Sequence, residues 1–173
     1  MKSIMLLAIL IIFFGAVGCT KQATDSKVQS LKDEILELKK NLEDLKPGLG
    51  EIMTTIHLHH AKLYFSGKNE NWDLAGYQLD EIKEGLDQAT ELHDHFKDKK
   101  ASLKELRHMT DAGIGDIETA IHDKSKSRFM DGFRKLTASC NQCHQAAEHG
   151  FIVIQAPTVP MFSNQKFDRG PKQ

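Results

Sequence analysis

Apolar residues recur along this chain at spacings of three and four, the period of amphipathic helices, and nowhere with the sustained alternation of a strand. The first such run is Val28, Leu31, Ile35, Leu38, Leu42 and Leu45. It reads as a heptad with Val28, Ile35 and Leu42 at a and the leucines at d, stopped by Pro47-Gly48. Four further helices follow. One is expected from about Leu49 to Phe65, ending near Gly67, and a second from Asn71-Trp72 with Trp72, Ala75, Leu79, Ile82, Leu86 and Ala89 on one face. A third opens with the capping-box pattern Ser102-Leu103-Lys104-Glu105 and buries Leu103, Leu106, Ile114, Ile117 and Ile121. A fourth carries Phe129, Phe133, Leu136, Cys140 and Ala147. Short connections between such helices predict an all-α fold, an antiparallel four-helix bundle. It is preceded by a coiled-coil-like helix and followed by an irregular tail, where Pro157 and Pro160 come after the apolar run Phe151-Ile152-Val153-Ile154. That run predicts a flap over exposed core or over the edge of a bound group. There is no internal repeat.

The heptad run has two readings. In one it is a parallel coiled coil through residues 28–45, making a homo-oligomer, with Glu34 at g facing Lys39 at e of a partner. Lys27 and Lys32 would repel in the same arrangement, so the charges do not fix that state. In the other the helix packs its seam on its own domain.

The N-terminus is of another kind. One lysine, an apolar stretch from Ile4 to Phe14 and small residues before Cys19 predict an export signal over residues 1–18. Gly15-Ala16-Val17-Gly18-Cys19 resembles the lipobox of bacterial lipoproteins, with Ala16 where that family usually has leucine. The resemblance implies diacylation of Cys19, a membrane anchor through the lipid and a periplasm-facing place in the cell envelope. Thr20 after the cysteine, by resemblance to Gram-negative lipoproteins, implies the outer membrane. The bland alternative is a secretory signal that happens to contain a cysteine. The expected organisation is a signal peptide at 1–18, anchor, spacer and heptad helix at 19–46, the bundle at 47–150 and the tail at 151–173.

Composition removes some classes of function. Lys and Arg total 23 against 24 Asp and Glu, so there is no electrostatic footprint for nucleic acid. No glycine-rich phosphate loop and no Ser/His/Asp pattern is present, and an enzyme is not expected. The chemistry lies in Cys140-Asn141-Gln142-Cys143-His144. The C-x-x-C-H spacing is the attachment signature of a c-type haem: two thiols form thioethers with the vinyl groups and the adjacent histidine ligates iron. On a helix these three side chains share a face. Competing readings are half a zinc site, which would want a second pair of ligands, and a redox C-x-x-C, which belongs at a helix start in a βαβ pattern. The chain has three cysteines. With Cys19 lipidated and Cys140 and Cys143 on one covalent haem c, none remains for a disulfide.

Iron has a second axial face. Met53, His57 and His60 lie at i, i+4 and i+7 on one stripe of the first bundle helix, shared with Ile56 and Leu63. Met53 is the preferred distal ligand, with His60 and then His57 as alternatives. Against this, methionine is usually core filler and a histidine on such a stripe is usually a satisfied boundary residue. His59 falls on another face and is expected in solvent. His93, His95, His108, His122 and His149 have no spacing that forces a metal site, and most of them read as surface residues.

Helix order and motif together resemble the cytochrome c-prime and c-556 family, over roughly Gly48 to Gly150. The resemblance implies a haem inside the bundle with His144 as proximal ligand and the first helix opposite. It further implies electron transfer where methionine supplies the sixth ligand, and gas binding where that position is apolar. The long tail and the N-terminal heptads depart from the family. The chain also resembles a group of little-characterised bacterial proteins in His60-Ala61-Lys62-Leu63-Tyr64-Phe65, Asn71-Trp72-Asp73-Leu74-Ala75-Gly76-Tyr77 and Gly150-Phe151-Ile152-Val153-Ile154, which implies no firm function. The leading expectation is a membrane-anchored monohaem cytochrome that exchanges single electrons with a redox partner protein. The alternatives are a haem gas-binding or sensing protein and a structural lipoprotein without haem.

Overall fold

A computed structural model describes residues 24–94 and 102–168, and among these the fold is all-α, with no strand. The signal segment, Cys19 and His95 lie outside the described residues. The chain divides between Lys46 and Pro47 into two units. In the first, residues 24–44 form one helix, α1, whose Val28, Leu31, Ile35, Leu38 and Leu42 are all exposed.

The second unit holds α2 (Leu49–Lys68), α3 (Trp72–His93), the short α4 (Leu103–Arg107), a 3-10 turn at His108–Thr110, α5 (Asp111–His122) and α6 (Lys126–Ala146). The ends follow local chemistry. The Asn71 side chain accepts from the Leu74 amide at 3.3 Å and starts α3. Ser102 accepts from the Glu105 amide at 3.1 Å and starts α4. The third helix expected from periodicity is broken after one turn. The Thr110 hydroxyl donates to the Arg107 carbonyl at 2.7 Å, drawing the chain into the tighter 3-10 turn before α5 begins.

Three helices end by the same device. Glu70, Lys124 and Glu148 take left-handed backbone angles, with φ of 57°, 52° and 60°. The amide that follows each reaches back to a helix carbonyl: Asn71 to Ser66, Ser125 to Ala120 and His149 to His144, at 2.9, 2.9 and 2.7 Å. None of the three is glycine, so each holds a conformation that L-residues resist.

The chain reverses direction between neighbouring helices. His59 on α2 meets Gln78 on α3, while Ile56 sits opposite Gly85. Gly113 on α5 faces Leu136 on α6, while Ile117 faces Gly132. Here the two helices nearly touch: a Cβ on Gly113 would lie 2.7 Å from backbone atoms of Leu136. His60 and Tyr64 of α2 pack their rings on Phe133 of α6. Lys83 of α3 pairs with Glu118 of α5 at 2.7 Å. Phe129, Phe133, Leu136, Leu63, Leu79, Ile82 and Ile117 are fully buried between these helices. After α6 the described tail has neither helix nor strand, and Phe167 returns to pack on Phe65. No helix among the described residues is long and apolar enough to cross a membrane.

Candidate functional site

The last turns of α6 carry Cys140, Cys143 and His144 at i, i+3 and i+4, and α2 carries Met53, His57 and His60. All six line one cavity of about 340 Å³. Leu49, Ile56 and Leu86 make part of its wall, and Ile152 and Ile154 from the tail make another. The tail therefore covers the same space that the thiols and imidazoles face. Ile152 keeps an exposed part as well, as do its neighbours Phe151 and Val153. Asp94, Arg107 and Thr110 add polar groups to the lining. The Arg107 guanidinium there is tied to Asp87 at 3.0 Å and to Asp111.

Both thiols are unpaired. Burial, and then the neighbouring Cys143, push the Cys140 thiol up to about 12, and burial raises Cys143 as well. These are neutral thiols in apolar surroundings, unlike the electropositive site of a redox cysteine pair.

The His144 imidazole has a defined tautomer. Its Nδ1 lies 2.9 Å from the carbonyl oxygen of Ile152. A carbonyl only accepts, so Nδ1 carries a proton, and in the neutral ring the lone pair is then on Nε2. Metal-ligating histidines are held in this way, by an outer partner that takes the proton of the other nitrogen. The Ile152 carbonyl is itself placed by the turn after α6. The Ile152 amide donates to the His149 carbonyl at 2.8 Å, and the His149 amide to the His144 carbonyl. Farther along, Asn141 grips Ile154 at both ends of its amide: Nδ2 donates to the Ile154 carbonyl at 2.9 Å, and the Ile154 amide donates to Oδ1 at 2.7 Å.

Across the cavity, His60 is 3% exposed. Its Nε2 sits 2.9 Å from the Thr137 hydroxyl, which spends its own proton on the Phe133 carbonyl at 2.8 Å. Nε2 is then the donor. Nδ1 is a bare lone pair, buried and without a hydrogen-bond partner. Burial, and then the neighbouring His57, lower the pKa of His60 to about 4, so the ring is neutral. Met53 is half-buried and His57 exposed.

Other histidines depart from the sequence reading. His59, expected in solvent, is buried: Nδ1 meets Gln78 Oε1 at 2.8 Å and Nε2 lies 3.6 Å from Glu81. The physical reason is that α2 is covered on two sides, by α6 and by α3, and a stripe read from one face misses the second. His93, expected at the surface, is half-buried with Nε2 on the Pro47 carbonyl, and His149 lines the cavity. His108 and His122 are surface residues beside Asp111 and Asp123. Sequence reasoning also passed over Asn141 and Thr137, whose roles depend on where the tail and α2 come to lie.

Among the described residues no group of three or more His, Cys, Asp or Glu gathers as a cage for a bare ion. What surrounds the two thiols is instead an apolar cavity with an oriented imidazole beside them. No family model, curated protein or solved structure matches the chain.

Proposed function

We propose that this chain is a monohaem c-type cytochrome, anchored to the membrane through lipid on Cys19, that carries single electrons in the bacterial cell envelope. In this reading α2, α3, α5 and α6 form an antiparallel four-helix bundle around the cofactor, and α1 lifts it from the membrane surface or joins it to a second copy through residues 28–45. One observation carries the proposal: Cys140, Cys143 and His144 on one helix and Met53, His57 and His60 on another line the same apolar cavity.

The residues fit haem c on three counts. The thiols are neighbours on one helix face and unpaired. The adjacent imidazole already presents the tautomer that leaves Nε2 for a metal. The cavity is of the size class that takes a cofactor, and its wall is mostly apolar. Cys140 and Cys143 would hold the group as thioethers and His144 would be its proximal ligand. Met53 is the proposed distal ligand. His60 is a weaker candidate, because Thr137 takes Nε2 and Nδ1 is enclosed by protein. His57, the most exposed of the three, ranks after it. When bound, haem supplies a ferric–ferrous couple. The chain's own residues do the rest. The Ile152 carbonyl keeps the proton of His144 on Nδ1, and Leu49, Ile56, Leu86 and Ile154 would keep water from the bound group. Low dielectric and the side chains that would ligate iron would set the potential.

The test is a haem stain of the purified protein after denaturing electrophoresis, with a pyridine haemochrome assay to count haems. A stained band and one haem per chain are expected. An unstained band from cells competent in haem attachment returns the chain to the structural lipoprotein reading.

A further inference from the structure

The first of the two motif residues between the cysteines, Asn141, does work that attachment alone does not require. Asn141 points its amide at the tail and makes two hydrogen bonds to the backbone of Ile154, thirteen residues away. Two residues before that grip, the Ile152 carbonyl receives the His144 Nδ1 proton. The chain turns off the end of α6 at Glu148, which takes a left-handed conformation, φ 60°. Ile152 is thus held on one side by the turn and on the other by Asn141.

We propose that Asn141 is a positioning residue for His144: by clasping Ile154 it keeps the Ile152 carbonyl on Nδ1, fixing the tautomer and angle of the imidazole, and it seats Ile152 and Ile154 as a wall of the cavity. This deepens the haem reading and rests on it. The chemistry requires an asparagine in particular. Its side-chain amide offers one donor and one acceptor, which match the carbonyl and amide of a single extended residue. Aspartate of the same length keeps the acceptor, loses the donor and sets a charge against the Ile154 carbonyl. Leucine of similar volume keeps neither hydrogen bond. His144 and the thiols do not themselves touch Ile154's backbone through any of these bonds, so Asn141 acts through the tail.

The experiment measures solvent exchange of the His144 Nδ1 proton by NMR in the full chain carrying haem, reduced and saturated with carbon monoxide. That form is diamagnetic whether methionine or carbon monoxide is the sixth ligand. The comparison is wild type, Asn141→Leu, Ile154→Pro, which deletes the amide donor from the other partner, and the double variant. Each single variant should speed exchange roughly tenfold, the factor expected when about one hydrogen bond's stabilisation is lost from a local opening. The double variant should be no faster than Asn141→Leu alone, because that change already removes both hydrogen bonds of the clasp, one of which Ile154→Pro also deletes. If Asn141→Leu takes up no haem, Asn141→Asp replaces it, with an expected intermediate rate. Exchange unchanged in the single variants overturns the proposal, since a clasp that merely tethers the tail would leave the Ile152 bond in place. Additive effects in the double variant overturn it too. Failure of the haem reading is seen separately: wild type would then carry no covalent haem at all.

Discussion

At the scale of single residues, the cavity pits two kinds of side chain against each other. Met53 is half-buried with a soft thioether, whereas His60 is enclosed, neutral and already bonded to Thr137. With Met53 as sixth ligand, wild type is low-spin and resists carbon monoxide. Met53→Ala becomes high-spin and binds it rapidly, while His60→Ala and His57→Ala leave the coordination spectrum unchanged. Visible spectra of both redox states with and without carbon monoxide check this; a free sixth position in wild type would favour the gas-binding alternative. His60 also makes stability depend on pH. Its folded pKa of about 4 lies below the unfolded value of 6.5, so the unfolded chain binds the extra proton between those limits. The contribution is complete above pH 6.5 and is lost as pH falls towards 4, by about 3 kcal/mol in all. Urea unfolding of wild type against His60→Gln at pH 7.5 and pH 4 should show that difference narrowing at the lower pH. Much at this scale was legible in advance. The cysteines and His144 announce themselves by spacing, and helical period alone puts Met53, His57 and His60 on one stripe. Asn141 was not legible, because its partner is reached only through a left-handed turn at Glu148 that no spacing rule marks when the residue is not glycine.

At the scale of elements, two devices set how the helices meet and end. The α5–α6 contact depends on Gly113, where any side chain meets the backbone of Leu136. Gly113→Ala should force the helices apart and cost about 1–3 kcal/mol, the range for overpacking, read as a lower denaturation midpoint. Lys124 is the opposite case. It sits at φ 52° at the end of α5, so Lys124→Gly should gain up to about 1 kcal/mol by relieving a left-handed residue. The pattern of apolar positions gave each long helix within a few residues, since amphipathic period and end signals such as Asn71 and Ser102 are local. It ran α4 and α5 together because Leu106, Ile114 and Ile117 keep helical spacing across the break, while the cause, the Thr110 hydroxyl on the Arg107 carbonyl, is a single hydrogen bond without a periodic signature. The burial of His59 was hidden for a related reason: a wheel shows which residues share a face, not how many neighbours a helix has.

At the scale of the whole molecule, haem and lipid are proposed to act on different units. Changing both Cys140 and Cys143 to Ala should abolish the covalent band and lower stability by about 3–5 kcal/mol, as large deletions from a core do, because the two sides of the cavity lose what lies between them. Thermal unfolding of the variant and the haem-loaded protein checks this. Cys19→Ala should leave the helical unit folded but release it from membranes, followed by fractionation and circular dichroism. Surface ion pairs such as Lys83–Glu118 and Lys135–Asp116 contribute little beside these effects. The position of Ile152 and Ile154 after the motif has a further result, for the order of events in time. Among the described residues this wall has neither helix nor strand and is held by Asn141 and His144, so it can close only once that end of α6 has formed. In the haem reading this would leave the thiols open to an incoming rigid group until the tail docks on Asn141, and a group already seated there would then be shut in.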